Sequence, residues 1–364
     1  MKRRKFLQAF AASTAATVLP GKARAGLAFE PKPAHGWRVF ELRTKVELVK
    51  PEGATQVWLP LPAIEDEAWM RPMGNHWEGN AAQMRVESDG LYGASFLHAQ
   101  WDSGTAAASL DLVSRFATRD RAIDFTSRGQ VPLLDPTVRA LYTRATKLLP
   151  TDGIVRETAQ AITRGAKSDL ESARRIYDWI CDNTFRDPEV MGCGIGDIRS
   201  MLVTRNLAGK CADLNALYVG LARAAGLPAR DVYGIRVADS RFGYKSLGKS
   251  GDVSKAQHCR AEVWLSDFGW VPVDPADVRK VVLEERPGLK INDELVLAVR
   301  EKLFGSWEMN WLAYNFAHDL QLPGSRGATI PFLMYPQGET AKSRLDSLDP
   351  ESFRYRIRSR EITT

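Results

Sequence analysis

The stretch NLAGKCADLNALYVGLARAAGLPAR, residues 206–230, decides how the rest of the chain is read. Leu214, Leu217, Tyr218, Leu221, Ala222 and Ala225 recur at i, i+3, i+4, i+7, i+8 and i+11, the spacing of one apolar helix face. Gly226 and Pro228 end that helix in the usual order. Cys211 therefore falls on its first turn, behind Gly209 and Lys210. At this end the unpaired backbone N–H groups and the macrodipole favour an anion. A thiolate is such an anion, and beside a cation this setting brings a cysteine pKa from about 8.5 towards or below neutrality. The same N–H groups suit a developing oxyanion. A cysteine without such a setting is an ordinary small core residue.

A thiol nucleophile needs a base, and the chain has five histidines: His35, His76, His98, His258 and His318. The first three belong to a β-rich N-terminal region. His258 opens HCRAEVWLSDFGWVPVDPA (258–276), which reads as a hairpin. On its first strand His258, Arg260, Glu262 and Trp264 share a face, opposite Cys259, Ala261, Val263 and Leu265. On its second strand Trp270, Pro272 and Asp274 share a face against Val271 and Val273. Directly opposed residues share a face, so His258 and Asp274 meet one cavity when the loop has an odd number of residues. A three-residue turn Asp267–Phe268–Gly269, with Gly269 in the left-handed position, satisfies this. Asp274 then orients His258, and His258 polarises Cys211. Asp274 before Pro275 also reads as a plain turn residue, and a Cys/His/Asp set also suits zinc. We assign neither a metal nor an organic cofactor, and expect Cys259 to point into the core.

LAGKCADLNALYVGLARAAGLPARDVYG (207–234) followed by HCRAEVWLSDFGWVPVDPADV (258–278) resembles the transglutaminase-like superfamily of papain-related folds. The resemblance runs from about Ala173 to Val278 and includes IYDWICDNTF (176–185). It implies an α+β fold, with a helix-borne cysteine packed on an antiparallel sheet. It also implies a catalytic triad of Cys211, His258 and Asp274. Two positions depart from the pattern or are left open. The family often has an aromatic residue two after the histidine, where this chain has Arg260. That side chain either binds a substrate carboxylate or pairs with Glu262, and the pairing is the favoured reading. For the second oxyanion donor the sequence offers only Asn183.

Around this core the chain is organised simply. FELRTKVELV (40–49) alternates Phe40, Leu42, Val46 and Leu48 against Glu41, Arg43, Lys45 and Glu47, the period of a half-buried strand. TQVWLPLP and SLDLVSRFATR alternate likewise, so 26–128 reads as an N-terminal β domain, sandwich-like. Asp135-Pro136 opens a run of helices, and Ser168 to Glu171 forms an S-x-x-E box ahead of LESARRIYDWICDN. The catalytic core is expected over 129–284, with RFGYKSLGKSGDVSKAQ (241–257) overhanging the site. Residues 285–364 form a C-terminal extension holding a helix and a strand, FRYRIRSREI.

At 44% hydrophobic and 26% charged, the 364-residue chain reads as soluble and globular. Its formal charge of +6 has a local source. Residues 1–25 hold Lys2, Arg3, Arg4, Lys5, Lys22 and Arg24 and no acid; subtracting these six takes Lys plus Arg from 50 to 44, equal to the 44 Asp plus Glu. A neutral remainder gives no bulk attraction for nucleic acid. The first segment, with twin arginines in MKRRKFLQ, a modestly apolar stretch and Ala23-Arg24-Ala25, resembles a twin-arginine export signal cleaved after Ala25. A periplasmic or secreted protein is expected. No stable membrane insertion is expected after cleavage, since no other stretch approaches the ~18 apolar residues of a spanning helix. In an oxidising compartment Cys181 and Cys193, close in sequence, are either a disulfide or two free thiols.

The expected function is an exported thiol enzyme acting on amide bonds of a protein or peptide through a thioester. Hydrolysis (peptidase or amidase) is slightly favoured. Cross-linking of the protein-glutamine gamma-glutamyltransferase type, or a non-catalytic binding or assembly module on the same fold, are the alternatives.

Overall fold

The computed structural model describes residues 28–49, 51–129 and 131–362. The expected leader at 1–25 and its expected cleavage site lie outside them. Counting strands of three residues or more, the order begins β1 (Arg38–Val49), β2 (Thr55–Pro60), β3 (Met70–Gly79), β4 (Gln83–Ser88), β5 (Ser95–Trp101) and β6 (Ala107–Thr118). Helices α1 (Pro136–Thr143), α2 (Gly153–Thr163), α3 (Asp169–Asn183), α4 (Ile198–Thr204) and α5 (Cys211–Ala224) follow. Next come β7 (Ala229–Arg236), β8 (Gln257–Leu265), β9 (Gly269–Val273), α6 (Pro275–Glu284) and α7 (Glu294–Lys302). The chain ends with β10 (Trp311–Asn315), β11 (Gln337–Glu339) and β12 (Tyr355–Ile362).

The N-terminal alternation builds a sandwich. Phe40, Leu42, Val46 and Leu48 of β1 are buried while Arg43, Lys45 and Glu47 face solvent. One sheet runs in the order Gly251–Asp252, β12, β1, β6, β3, and the other in the order β11, β2, β5, β4. Val46, Leu48, Leu110 and Leu112 of the first pack against Val57, Leu59 and Leu97 of the second, the interdigitation that holds face-packed sheets together. The C-terminal strand β12 pairs antiparallel with β1 on one side and with Gly251–Asp252 on the other. It thereby ties the connection between β7 and β8 to the sandwich.

The second layer system is a four-stranded antiparallel sheet, β9-β8-β7-β10, with α5 laid on β7 and β8 and covered by α2, α3 and α6. The sequence spacing predicts one buried face for α5; the structure buries every residue from Cys211 to Arg223. The reason is that helices cover the side the sheet does not, so α5 is central rather than amphipathic. Some of its polar groups are matched inside: Arg223 Nε donates to Ala229 O at 2.8 Å and Asn215 Nδ2 to Cys259 O at 2.8 Å, while the Tyr218 hydroxyl has no hydrogen-bond partner among the described residues. Ser168 caps α3 as expected, its Oγ accepting the Glu171 N–H at 3.1 Å, but Glu171 returns to the Lys167 N–H rather than to Ser168.

The hairpin register differs by one step from the expected turn. Leu265 pairs with Gly269 and Trp264 with Trp270, so the loop is Ser266–Phe268 and Gly269, at φ 73°, already lies in the ladder. The loop still has three residues, and that odd count keeps His258 and Asp274 on one face. All four cysteines are free and buried. Cys181 sits in α3 with its thiol pushed up to about 12 by burial, whereas Cys193 lies in the loop before α4, beside Cys211.

Candidate active site

The start of α5 is held by a carboxylate. Asp213 Oδ2 accepts the Lys210 N–H at 2.9 Å, and its Oδ1 accepts the N–H groups of Ile195 and Gly196 at 3.1 and 2.9 Å. Asp213 thus closes the first turn and fastens the loop carrying Cys193 over it. That loop passes so close that a Cβ on Gly194, at φ 87°, would fall 1.8 Å from Asp213 Oδ2. The Ala212 N–H donates to Cys193 O at 2.8 Å. The Cys211 N–H meets no acceptor among the described residues and is the donor left at the sulfur.

His258 stands at the beginning of β8, 4% exposed, with its carbonyl accepting from Trp311 Nε1 at 2.9 Å. Its Nε2 donates to Asp274 Oδ2 at 2.8 Å. The other ring nitrogen, Nδ1, is left for the thiol: Cys211 and His258 line one cleft, and His258 acts to lower the Cys211 thiol. Asp274 is the N-cap of α6, its Oδ1 accepting the Asp277 N–H at 3.1 Å. Asn215 Nδ2 approaches the same oxygen at 3.4 Å. One oxygen of the aspartate is therefore held by two donors while the other meets the histidine.

The charges form a chain. The neighbouring Cys193 and Cys259 thiols, and then His258, hold the Cys211 thiol well below the ordinary range despite its burial. Burial works to lower His258, but the Asp277 and Asp274 carboxylates outweigh it and raise the imidazole. Burial and the neighbouring Asp277 charge raise Asp274. Burial would also raise Asp277, yet Arg236, His258 and Arg260 hold it well below the carboxylate range. Opposed shifts of this kind in one cleft mark a site for proton transfer. His258, Asp274 and Asp277 bring three ligand-type atoms within 4.8 Å of one another. Arg236 already meets Asp277 twice, at 2.5 and 2.7 Å, and Arg260 Nε lies 3.4 Å from Asp274, so the positive charge those carboxylates need comes from guanidinium groups.

The cluster opens on a cleft of about 570 Å³. Cys193, Cys211, Gln257 and His258 line its floor, and Tyr335, Leu348, Phe353 and Tyr355 of the C-terminal segment supply part of its wall.

The sequence profile of the transglutaminase-like superfamily matches residues 156–275, from α2 to the first residue of α6, and so includes Cys211, His258 and Asp274. A Haemophilus influenzae protein of uncharacterised function is 36% identical over 344 residues, 89% of this chain and 92% of that protein. The chain belongs to the transglutaminase-like superfamily. Among solved structures, a proposed cysteine protease from Cytophaga hutchinsonii aligns over 90% of this chain and 92% of its own, with a TM-score of 0.55 at 14% identity. The periplasmic domain of TgpA from Pseudomonas aeruginosa aligns over 69% of this chain and 91% of its own, with a TM-score of 0.37 at 15% identity. At such identities the likeness to solved structures concerns the fold alone. No helix among the described residues is long and apolar enough to cross a membrane.

Within this transglutaminase-like core the structure brings Cys211, His258 and Asp274 together, and leaves two expected residues out. Arg260 does not line the cleft and does not pair with Glu262. It is 2% exposed, donates to Glu308 O at 2.9 Å and lies over the Trp311 ring at 4.7 Å, behind Asp274. Glu262 is taken by Arg121 and by its cross-strand partner Arg230. Asn183, at the exposed end of α3, donates to Trp179 O and is absent from the cleft. Cys259 is buried as expected, and burial with the neighbouring Cys211 raises its thiol. Asp277, Cys193 and Tyr335 were not foreseen. Asp277 carried a local signal, being three residues after an N-cap; the other two approach only through tertiary packing.

Proposed function

We propose that this chain is an exported thiol enzyme that opens amide bonds through a thioester on Cys211. The observation that carries the reading is the 2.8 Å contact of His258 Nε2 with Asp274, on an imidazole that shares its cleft with a cysteine at a helix start. Cys211 Sγ attacks the amide carbonyl carbon, and the free Cys211 N–H is available to the oxyanion. His258 gives the proton at Nδ1 to the departing amine nitrogen as the C–N bond breaks. The acyl group stays on sulfur. His258 then takes a proton from water, which attacks the thioester and releases a carboxylic acid and the Cys211 thiolate, restoring the thiolate–imidazolium pair. Asp274 keeps the ring in one tautomer throughout.

Hydrolysis is the favoured outcome because water is everywhere in an open cleft, while transfer requires a bound amine. A primary amine in place of water gives a cross-link through the same residues. The twin-arginine leader supports export to the periplasm or beyond.

Iodoacetamide near neutral pH tests the reading. Cys211 should be labelled ahead of the other three cysteines, and His258→Ala should slow that labelling. Equal rates in both proteins would remove the triad. An acyl-amide substrate offered with and without a primary amine, followed by weighing the products, separates hydrolysis from transfer.

A further inference from the structure

Beyond residue 25 the chain carries equal numbers of acidic and basic side chains, so a local excess of one sign is not inherited from a basic protein. The cleft has such an excess. Lys210, Lys245, Lys249, Lys255, Lys280 and Arg186 line it, against the carboxylates of Glu284 and Asp252. Glu284 is shared by Arg186 and Lys280. Asp252 Oδ1 accepts both the hydroxyl and the N–H of Ser254, and its Oδ2 faces Arg356 at 3.7 Å. Lys245, Lys249 and Lys255 are exposed and their ammonium groups form no ion pair among the described residues, while the nearby Glu285 carboxylate accepts the Lys245 and Ser246 N–H groups. All three belong to the connection between β7 and β8, which Gly251–Asp252 anchors to β12 and which leads into His258. Met191, Leu348 and Phe353 contribute apolar surface from other segments of the same cleft.

We propose that the acyl substrate is an acidic peptide, with carboxylate side chains flanking the reacting amide and held along Lys245, Lys249 and Lys255. This inference rests on the thiol-enzyme reading above. A cleft of one sign focuses potential and raises the local concentration of the opposite charge, with effects of roughly 10- to 1000-fold on association. Three lysines on a flexible-stemmed row provide point charges rather than planar forks, so they select carboxylate density rather than one geometry.

The test uses two peptidyl chloromethyl ketones of one length, one flanked by glutamates and one by lysines. Each captures the Cys211 thiolate by forming a thioether and releasing chloride. In the wild-type protein the glutamate-flanked probe should inactivate at least tenfold faster at low salt, and the ratio should shrink several-fold at 1 M salt, where the Debye length falls to about 3 Å. Lys245→Glu, Lys249→Glu and Lys255→Glu together should abolish or invert the ratio. The same three reversals at Lys147, Lys167 and Lys342, exposed positions outside the cleft, should not. Iodoacetamide, which is neutral, reports in every variant whether a folded, reactive thiol is present. A reactive thiol with no preference between the probes, or with a preference that survives the cleft reversals, overturns the acidic-substrate inference and leaves the triad standing. A thiol inert to iodoacetamide and to both probes overturns the triad and this inference together.

Discussion

Asp277 Oδ1 lies 3.5 Å from His258 Nε2, a second carboxylate behind the imidazole. Its own charge is balanced by Arg236, which is buried with it. Asp277→Asn should therefore do two separable things. It leaves the Arg236 guanidinium uncompensated inside the protein, which costs about 3–5 kcal/mol and lowers Tm. It also removes the carboxylate that contributes most to raising His258, so the imidazolium is lost at lower pH than in the wild type. Adding Arg236→Met should recover stability and, because the Arg236 charge itself lowers His258, bring the imidazole part of the way back up. Thermal melts and the pH profile of amide turnover read the two effects apart.

Asp274 has two jobs that one substitution can split. Asparagine is as good an N-cap as aspartate, so Asp274→Asn should retain the bond to the Asp277 N–H and keep α6 in place. It should still lower turnover by about 10²–10⁴, because an amide does not stabilise the imidazolium and permits the wrong tautomer. Asp274→Ala should lose the cap as well, a further cost of about 1 kcal/mol. If Asp274→Asn kept wild-type kcat, the aspartate would be only a helix cap.

Arg260 belongs to the support behind Asp274, with its guanidinium against Trp311 and the Glu308 carbonyl. Arg260→Ala should destabilise the protein by about 3–5 kcal/mol, through the buried carboxylate left short of a partner and the lost packing on tryptophan. It should not change the preference between charged and neutral substrates. A selective rise in KM for acidic substrates alone would mean that Arg260 reaches the cleft after all.

Much of this was legible in the sequence for a physical reason. Strand alternation in 40–49 and helix spacing in 214–225 are local consequences of what is buried, and a turn of odd length is enough to place His258 and Asp274 on one side. The capping carboxylate Asp135 was likewise readable from Pro136 beside it, whereas Asp274 read as an orienting or turn residue and proves also to cap α6. What could not be read depended on distant segments meeting. Burial of the far side of α5 requires α2, α3 and α6 to be in place. The partners of Arg260 and Glu262 come from 121, 230 and 308, so face-sharing along β8 misled the pairing. Cys193 and Tyr335 join Cys211 in the cleft from a loop and from the C-terminal segment. The charge of the cleft was invisible to a net count because Lys245, Lys249 and Lys255 are offset by acids elsewhere on the surface.

The opposed shifts of Cys211 and His258 fix the pH behaviour of the pair. With the thiol held below its ordinary range and the imidazole raised, the thiolate–imidazolium form prevails from the depressed cysteine value up to the elevated histidine value. Alkylation of Cys211 should thus reach its plateau well below the ~8.5 of a free cysteine. His258→Ala should move that midpoint up only part of the way, since the larger contributions, from the Cys193 and Cys259 thiols, remain; Cys193→Ala should move it as well. The signs carry over to stability. The histidine contribution is complete below its unfolded value of about 6.5 and fades as pH rises through the raised folded value. The cysteine contribution is complete above about 8.5 and fades as pH falls through the depressed one. Cys211→Ser should remove the acid-side loss from the melting profile, while His258→Ala removes the alkaline-side loss. A Cys211 alkylation midpoint at or above that of free cysteine would show that the sulfur is not ionised by its surroundings.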